Sequence, residues 1–121
     1  MLEIFFAICA FTSLECHDIT VTYYDLEEGT LAGASYDLEG NYYILINEDE
    51  VEGKNEKFWQ RLMVHEIAHL LVFELDPLNT SHYGIYKELC DDLRLRTGTM
   101  GRHTCKPYAE PPPYPWTARR E

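Results

Sequence analysis

The spacing of apolar and polar residues along the first half of the chain is typical of strands. Residues 18–26 (DITVTYYDL) are rich in β-branched and aromatic side chains and predict a strand. Residues 41–50 (NYYILINEDE) predict a second one, directly after a Gly-Asn turn dipeptide. Between them, EEGTLAGAS predicts a turn that leads into a further extended segment. This half of the chain therefore predicts a small sheet.

From Asn55 onward the apolar spacing becomes helical. Asn55 is suited to the N-cap position, and Pro77 ends the helix because proline disfavours α geometry at the residue before it. Between residues 62 and 73 only three side chains are polar, those of His65, Glu66 and His69. A helix that is apolar on nearly every side is buried, so this helix is predicted to lie in the core.

A second helix is predicted to open with Ser81 as its N-cap and to end before Gly98. The sequence KPYAEPPPYPW beyond it is too rich in proline for a helix or an interior strand. We therefore predict an α+β domain over residues 1–104 and an extended proline-rich tail over residues 105–121. In this domain a short, mostly antiparallel sheet packs on the first helix and on the second.

Charge is distributed unevenly along the chain. Residues 1–53 contain twelve acidic and no basic residues, whereas residues 54–121 contain nine acidic and ten basic ones, and the formal net charge of all 121 residues is −11. An acidic chain is poorly suited to binding a phosphate backbone, so a nucleic-acid partner is disfavoured. We expect a monomer.

The cysteines are scattered and contain no C-x-x-C pair; they are Cys9, Cys16, Cys90 and Cys105. This spacing favours reduced thiols and a cytoplasmic location. The first sixteen residues lack the basic start of a signal peptide and carry Glu3, which favours a buried helix or strand over the alternative of a cleaved signal peptide. No stretch is long and apolar enough to span a bilayer, so no membrane contact is expected.

The segment HEIAH carries the candidate chemistry. Residues four apart lie on the same face of a helix, so His65 and His69 can bind one metal ion. Glu66 lies slightly to the side, where it can act as a general base on water without binding the metal. This arrangement predicts a Zn²⁺ hydrolase. The alternative is a core helix with two hydrogen-bonded histidines and no metal.

The third zinc ligand has two candidates, His82 and Glu88. At about 100° per residue, His82 lies on the same side of the second helix as Tyr86 and Leu93, whereas Glu88 lies about 120° away. The apolar side must pack on the first helix, which favours His82. Glu88, with Asp92 four residues later, remains the alternative ligand.

The sequence HEIAHLLVFELDPLNTSHYGIYKELCDDL resembles the SprT-like (Spartan-type) zinc metalloproteases over about residues 18–98. That family has H-E-x-x-H, a short connection and a second helix that begins H-G-x-x-aromatic. His82 and Tyr86 match the histidine and the aromatic residue.

The resemblance implies a minimal zincin fold that cleaves peptide bonds. It implies zinc bound by His65, His69 and His82, with Glu66 as the catalytic residue. The family's glycine after the third histidine is Tyr83 here, and the accessory DNA-binding extension is absent. Better-known members attack proteins on DNA, and small relatives of this kind occur among phage and prophage proteins.

Several supporting roles and alternatives remain open at this point. The strand over residues 41–47 is predicted to edge the cleft and pair with a peptide, or else to be an ordinary sheet strand. Tyr83 or Tyr86 is a candidate oxyanion donor, although at this spacing Tyr86 is more typical of core packing. A different class of function is a catalytically silent metal-binding module that acts through its acidic surface or its PPPY tail. A tail that covers the cleft and restrains activity is a further hypothesis.

Overall fold

The fold is described by a computed structural model of residues 1–101, 103–108 and 110. Over these residues it comprises α1 (Leu2–Cys9), a 3-10 turn (Cys16–Asp18), β1 (Thr20–Tyr23), β2 (Ala32–Tyr36), β3 (Tyr42–Ile46), α2 (Glu48–Val51), α3 (Glu56–Leu75) and α4 (Ile85–Arg96). The predicted α+β class is confirmed. None of the helices in this part of the chain has the length and apolar character needed to cross a bilayer.

The sheet is mixed, with strand order β1-β3-β2. β3 pairs in parallel with β1 and antiparallel with β2. The prediction of a mostly antiparallel sheet is therefore wrong, because two reversals of the chain return β3 to the direction of β1. β3 also lies in the centre with a partner on each side, so the prediction that it edges the cleft and pairs with a peptide is wrong as well. The outer strand that packs on α3 is β2.

α3 begins and ends where the sequence predicts. The Asn55 side chain accepts a hydrogen bond from the Phe58 amide at 3.0 Å, and Asp76 is extended directly before Pro77. α1 packs against α3 and buries Phe5. The prediction of a buried element at the start of the described chain is thus confirmed.

α4 begins later than predicted. Its first residue is Ile85, and Gly84, with a φ of +65°, is its N-cap. Ser81 instead accepts a hydrogen bond from the Tyr83 amide at 3.0 Å, within the turn that precedes the helix. The predicted N-cap is therefore wrong, and His82 lies in this turn rather than on the second helix. The predicted end before Gly98 is confirmed.

All four cysteines are paired in the structure. One disulfide joins Cys9 to Cys16, and the other joins Cys90 in α4 to Cys105. The prediction of reduced thiols is wrong, because sequence spacing does not reveal which cysteines the fold brings together. The second disulfide attaches the segment that follows α4 to the buried Cys90 of that helix.

The β2–β3 hairpin is held by the buried carboxylate of Asp37. It accepts hydrogen bonds from the amides of Glu39 and Asn41, from the Asn41 side chain, and from the Tyr43 hydroxyl at 2.7 Å. Burial alone would raise the pKa of Asp37, but these hydrogen bonds lower it to about 2. The hairpin is thus stabilised by the ionised form of this residue.

We predict that Asp37→Asn lowers the free energy of unfolding by about 1–3 kcal/mol at neutral pH, since a buried charge-assisted network is lost. Because the pKa is depressed in the folded state, the contribution of Asp37 is complete above about pH 4 and declines as the pH falls towards 2. Urea unfolding at several pH values measures both effects. The exposed Asp49→Asn is the matched control. Equal stability of the two variants at pH 7 would contradict this role.

Candidate metal centre

α3 places the HEIAH side chains inside the protein. His65 and Glu66 are fully buried and His69 is 5% exposed. The two histidines lie one turn apart on the same side of the helix, with ring centroids 5.2 Å apart. The apolar residues around them form the main core, so packing along the middle turns of the helix holds the histidines in place.

Two further side chains reach this pair from later in the chain. His82 comes from the turn before α4, and Glu110 comes from the segment after the Cys90–Cys105 disulfide. Their side chains are 14% and 12% exposed, respectively. Together with His65 and His69 they form a group that could bind a metal ion.

The distances among the four ligand atoms suit a tetrahedral ion. Nε2 of His82 lies 3.1 Å from Nε2 of His69 and 3.2 Å from Nε2 of His65. Oε1 of Glu110 lies 2.8, 3.2 and 3.4 Å from the Nε2 atoms of His82, His69 and His65. A zinc ion with nitrogen and oxygen ligands at about 2.0–2.1 Å requires ligand atoms about 3.3 Å apart.

The chemistry of the donors also favours a cation between them. Nδ1 of His65 lies 2.8 Å from the carbonyl oxygen of Thr104, which can only accept, so Nδ1 carries the proton. In neutral His65, Nε2 therefore directs a lone pair towards the carboxylate oxygen of Glu110. Two lone pairs repel, whereas a metal ion between them binds both. The four residues thus fit a metal better than a hydrogen-bonded histidine pair.

Two tyrosines pack against the histidine rings. The Tyr86 ring stacks on His69 at a centroid distance of 4.3 Å, and its hydroxyl donates to the carbonyl of His65 at 3.0 Å. The Tyr108 ring stacks on His65 at 4.1 Å. Tyr86 is fully buried and its hydroxyl is already engaged, which confirms core packing rather than an oxyanion role. Tyr83 is 69% exposed.

Glu66 lies next to the centre with its two carboxylate oxygens in different surroundings. Oε2 accepts a hydrogen bond from the Tyr108 hydroxyl. Oε1 is buried and, among the described residues, has no hydrogen-bond partner; the same holds for Oε2 of Glu110. Burial raises the pKa of Glu66 well above its usual range, and the negative charge of Glu110 raises it further.

Burial and the neighbouring groups at the centre also shift the pKa values of the ligands themselves. Burial lowers the pKa of His69, which favours the neutral imidazole that a metal requires. Burial alone would raise the pKa of Glu110, but its contacts with the three imidazoles hold it well below its usual range. Glu110 is therefore an ionised, ligand-ready carboxylate.

The structure brings the predicted ligands together, although His82 does not lie on the element that the sequence predicts. His65, His69 and His82 belong to one group of ligand atoms, and Glu66 lies close enough to this group for the charge of Glu110 to affect its pKa. His82 was selected as part of a helical face, whereas it lies before the helix begins. The alternative, Glu88, is exposed on α4. Glu110 was missed, because a single glutamate in a proline-rich segment carries no ligand pattern.

Comparison of the chain with models of protein families, with curated protein sequences and with solved structures gives no match. The SprT-like resemblance therefore stays a prediction that rests on the motif residues.

We predict that His82→Ala weakens zinc affinity by more than about 100-fold, since losing groups that merely orient ligands already costs about 10- to 100-fold. Glu88→Ala is the matched control and should keep the affinity of the parent chain. Competition with a chromophoric chelator measures both. Zinc that stays with His82→Ala and leaves with Glu88→Ala would make the ligand assignment wrong.

The turn that delivers His82 depends on the positive φ of Gly84. Gly84→Ala adds no steric contact, but a φ of +65° with a ψ of −127° strains any residue other than glycine by about 1–3 kcal/mol, so we predict that it displaces His82 and weakens zinc binding. Gly29→Ala is the control, since it has a φ of +87° and lies in a different turn. Chelator competition should separate the two variants. Equal zinc affinity would show that His82 does not depend on this turn.

Proposed function

We propose that this protein is a zinc-dependent metallopeptidase in which His65, His69 and His82 hold the metal and Glu66 is the general base. The observation that carries the proposal is the convergence of three imidazole Nε2 atoms near the buried carboxylate of Glu66. Glu66 lies on α3 together with two of the three histidines. Imidazole and carboxylate ligands that are close enough together to share one four-coordinate ion favour zinc among the common metals.

In peptide hydrolysis the metal and Glu66 would have different roles. A bound zinc ion polarises a carbonyl oxygen and lowers the pKa of its water towards about 7. Glu66 accepts the proton of the attacking water and returns it to the departing amine nitrogen. Its Oε1 has no hydrogen-bond partner among the described residues, so it has capacity for this proton. Burial excludes bulk water and strengthens the interactions of these charges.

β2 takes the place of β3 in positioning the substrate. It is an outer strand of the sheet and packs on α3. Its Ala34 amide lies close enough to Glu66 to counteract in part the rise in the pKa of that residue. All five residues of β2 are buried, so a peptide can pair with this strand only once its outer edge is uncovered, and it would then run past the general base.

A second candidate is the catalytically silent metal-binding module. The observation that favours it is Glu110, because four protein ligands are typical of structural zinc sites. Hydrolysis requires a free position on the metal, so the two functions differ in whether Glu110 is displaced. The PPPY motif of this module lies outside the described residues.

Several predictions from the sequence remain untested, and the structure counts against one of them. A SprT-like relationship, a monomer, a protein or peptide substrate, no nucleic-acid or membrane partner and a phage or prophage origin stay predictions. The cytoplasmic location also stays a prediction, and the two disulfides count against it because disulfides persist in oxidising compartments.

We predict that Glu66→Gln keeps its zinc but hydrolyses unfolded proteins at least about 100-fold more slowly, which is the usual contribution of a general base. The substitution is made both in the parent chain and in a Glu110→Ala chain, and peptide release is followed by mass spectrometry. Glu88→Gln, on the exposed face of α4, is the matched control.

Two results would contradict the proposal in different ways. Hydrolysis that survives Glu66→Gln would rule out Glu66 as the base. Absence of hydrolysis by both the zinc-loaded parent chain and the Glu110→Ala chain, over diverse unfolded proteins, would favour the silent module.

A further inference from the structure

The segment after α4 returns across the metal centre. We call its described residues, 103–108 and 110, the C-terminal strap. It is tied to α4 by the Cys90–Cys105 disulfide and contacts α3 through the Thr104 carbonyl, which accepts from Nδ1 of His65. Cys90 and Cys105 are both buried, so this end of the strap is fixed to the core.

Beyond this anchor, the strap covers the general base. The Tyr108 ring lies over the His65 ring, with an angle of 21° between the two planes. Its hydroxyl donates to Oε2 of Glu66. Tyr108 therefore holds one of the two oxygens through which Glu66 would accept a proton.

Glu110 covers the other reacting position. Its Oε1 atom lies 2.8, 3.2 and 3.4 Å from the Nε2 atoms of His82, His69 and His65, so it is the fourth member of the ligand group. The fourth position of a catalytic zinc is the one that water or substrate uses. A carboxylate oxygen in that position excludes both of them.

We infer that the C-terminal strap is a built-in inhibitory cover, in which Glu110 takes the exchangeable position on the metal and Tyr108 engages Glu66. The inference rests on the proposed metal-dependent function and adds its regulation. The ligands His65 and His69 are fixed by α3, whereas Glu110 comes from a separate segment five residues beyond the disulfide anchor. Displacement of the Tyr108 and Glu110 side chains therefore opens the site and leaves the three histidines in place.

Coordination rather than hydrolysis provides the test. The full chain is loaded with cobalt(II), whose visible spectrum reports ligand number and geometry, and is titrated with acetohydroxamate, a small bidentate ligand. We expect no spectral change for the parent chain and a clear change for Glu110→Ala. Tyr108→Ala combined with Glu110→Ala removes both covering side chains and should respond at least as strongly. Glu88→Ala is the control and should behave like the parent chain.

Each contrary outcome overturns the inference. A parent chain that responds to acetohydroxamate as the Glu110→Ala chain does would show that the position is already open. A double variant that does not respond would show that another group closes the site. Loss of bound cobalt, or of the fold seen by circular dichroism, in Glu110→Ala would make Glu110 an integral part of the centre instead of a cover.

The outcome for the strap is separate from the outcome for the peptidase. If acetohydroxamate reaches cobalt only in the Glu110→Ala chain, the cover is established even when no zinc-loaded variant hydrolyses protein. If Glu110→Ala hydrolyses protein but the cobalt spectra of parent and variant respond alike, the peptidase stands and the cover does not.

Discussion

The convergence of three imidazole nitrogens and one carboxylate oxygen is the constraint on which the rest of the structure depends. Five of the six pairs among these atoms are 2.8–3.4 Å apart, and at least one of the nitrogens directs a lone pair inwards. Such an arrangement in a largely buried space is unfavourable without a cation. A metal ion turns the same contacts into coordination bonds, and its binding energy then stabilises the fold.

Each part of the fold positions one component of this centre. α3 supplies two ligands and Glu66 from a helix that is buried along its middle turns. The turn at Gly84 delivers the third histidine, and the hydroxyl of Tyr86 in α4 attaches that helix to the His65 carbonyl. The mixed sheet packs behind α3 with β2 as the strand beside it. The scaffold thus restricts movement of the ligands.

Local patterns in the sequence predicted those parts of the site that are close together in the chain. The bounds of α3 follow from Asn55 and Pro77, and the placement of His65, Glu66 and His69 follows from helical geometry. His82 is predicted as a ligand, but on a helical face to which it does not belong. Ser81 is suited to N-capping and therefore predicts a helix that starts too early, whereas the N-cap is Gly84. The sheet order and the disulfides were beyond prediction, since pairing between distant segments leaves no periodicity.

Glu110 shows the same limit of sequence-based prediction at the metal centre. Whether it binds the metal also distinguishes a structural site from a catalytic one. With Glu110 bound, the centre has the four protein ligands of a structural site; without it, three histidines leave a position for chemistry. Both modes require that a metal occupies the centre. Elemental analysis of the purified, folded parent chain after exposure to zinc and dialysis tests this most directly. The account predicts one zinc ion per chain, and a folded protein that retains no metal would contradict it.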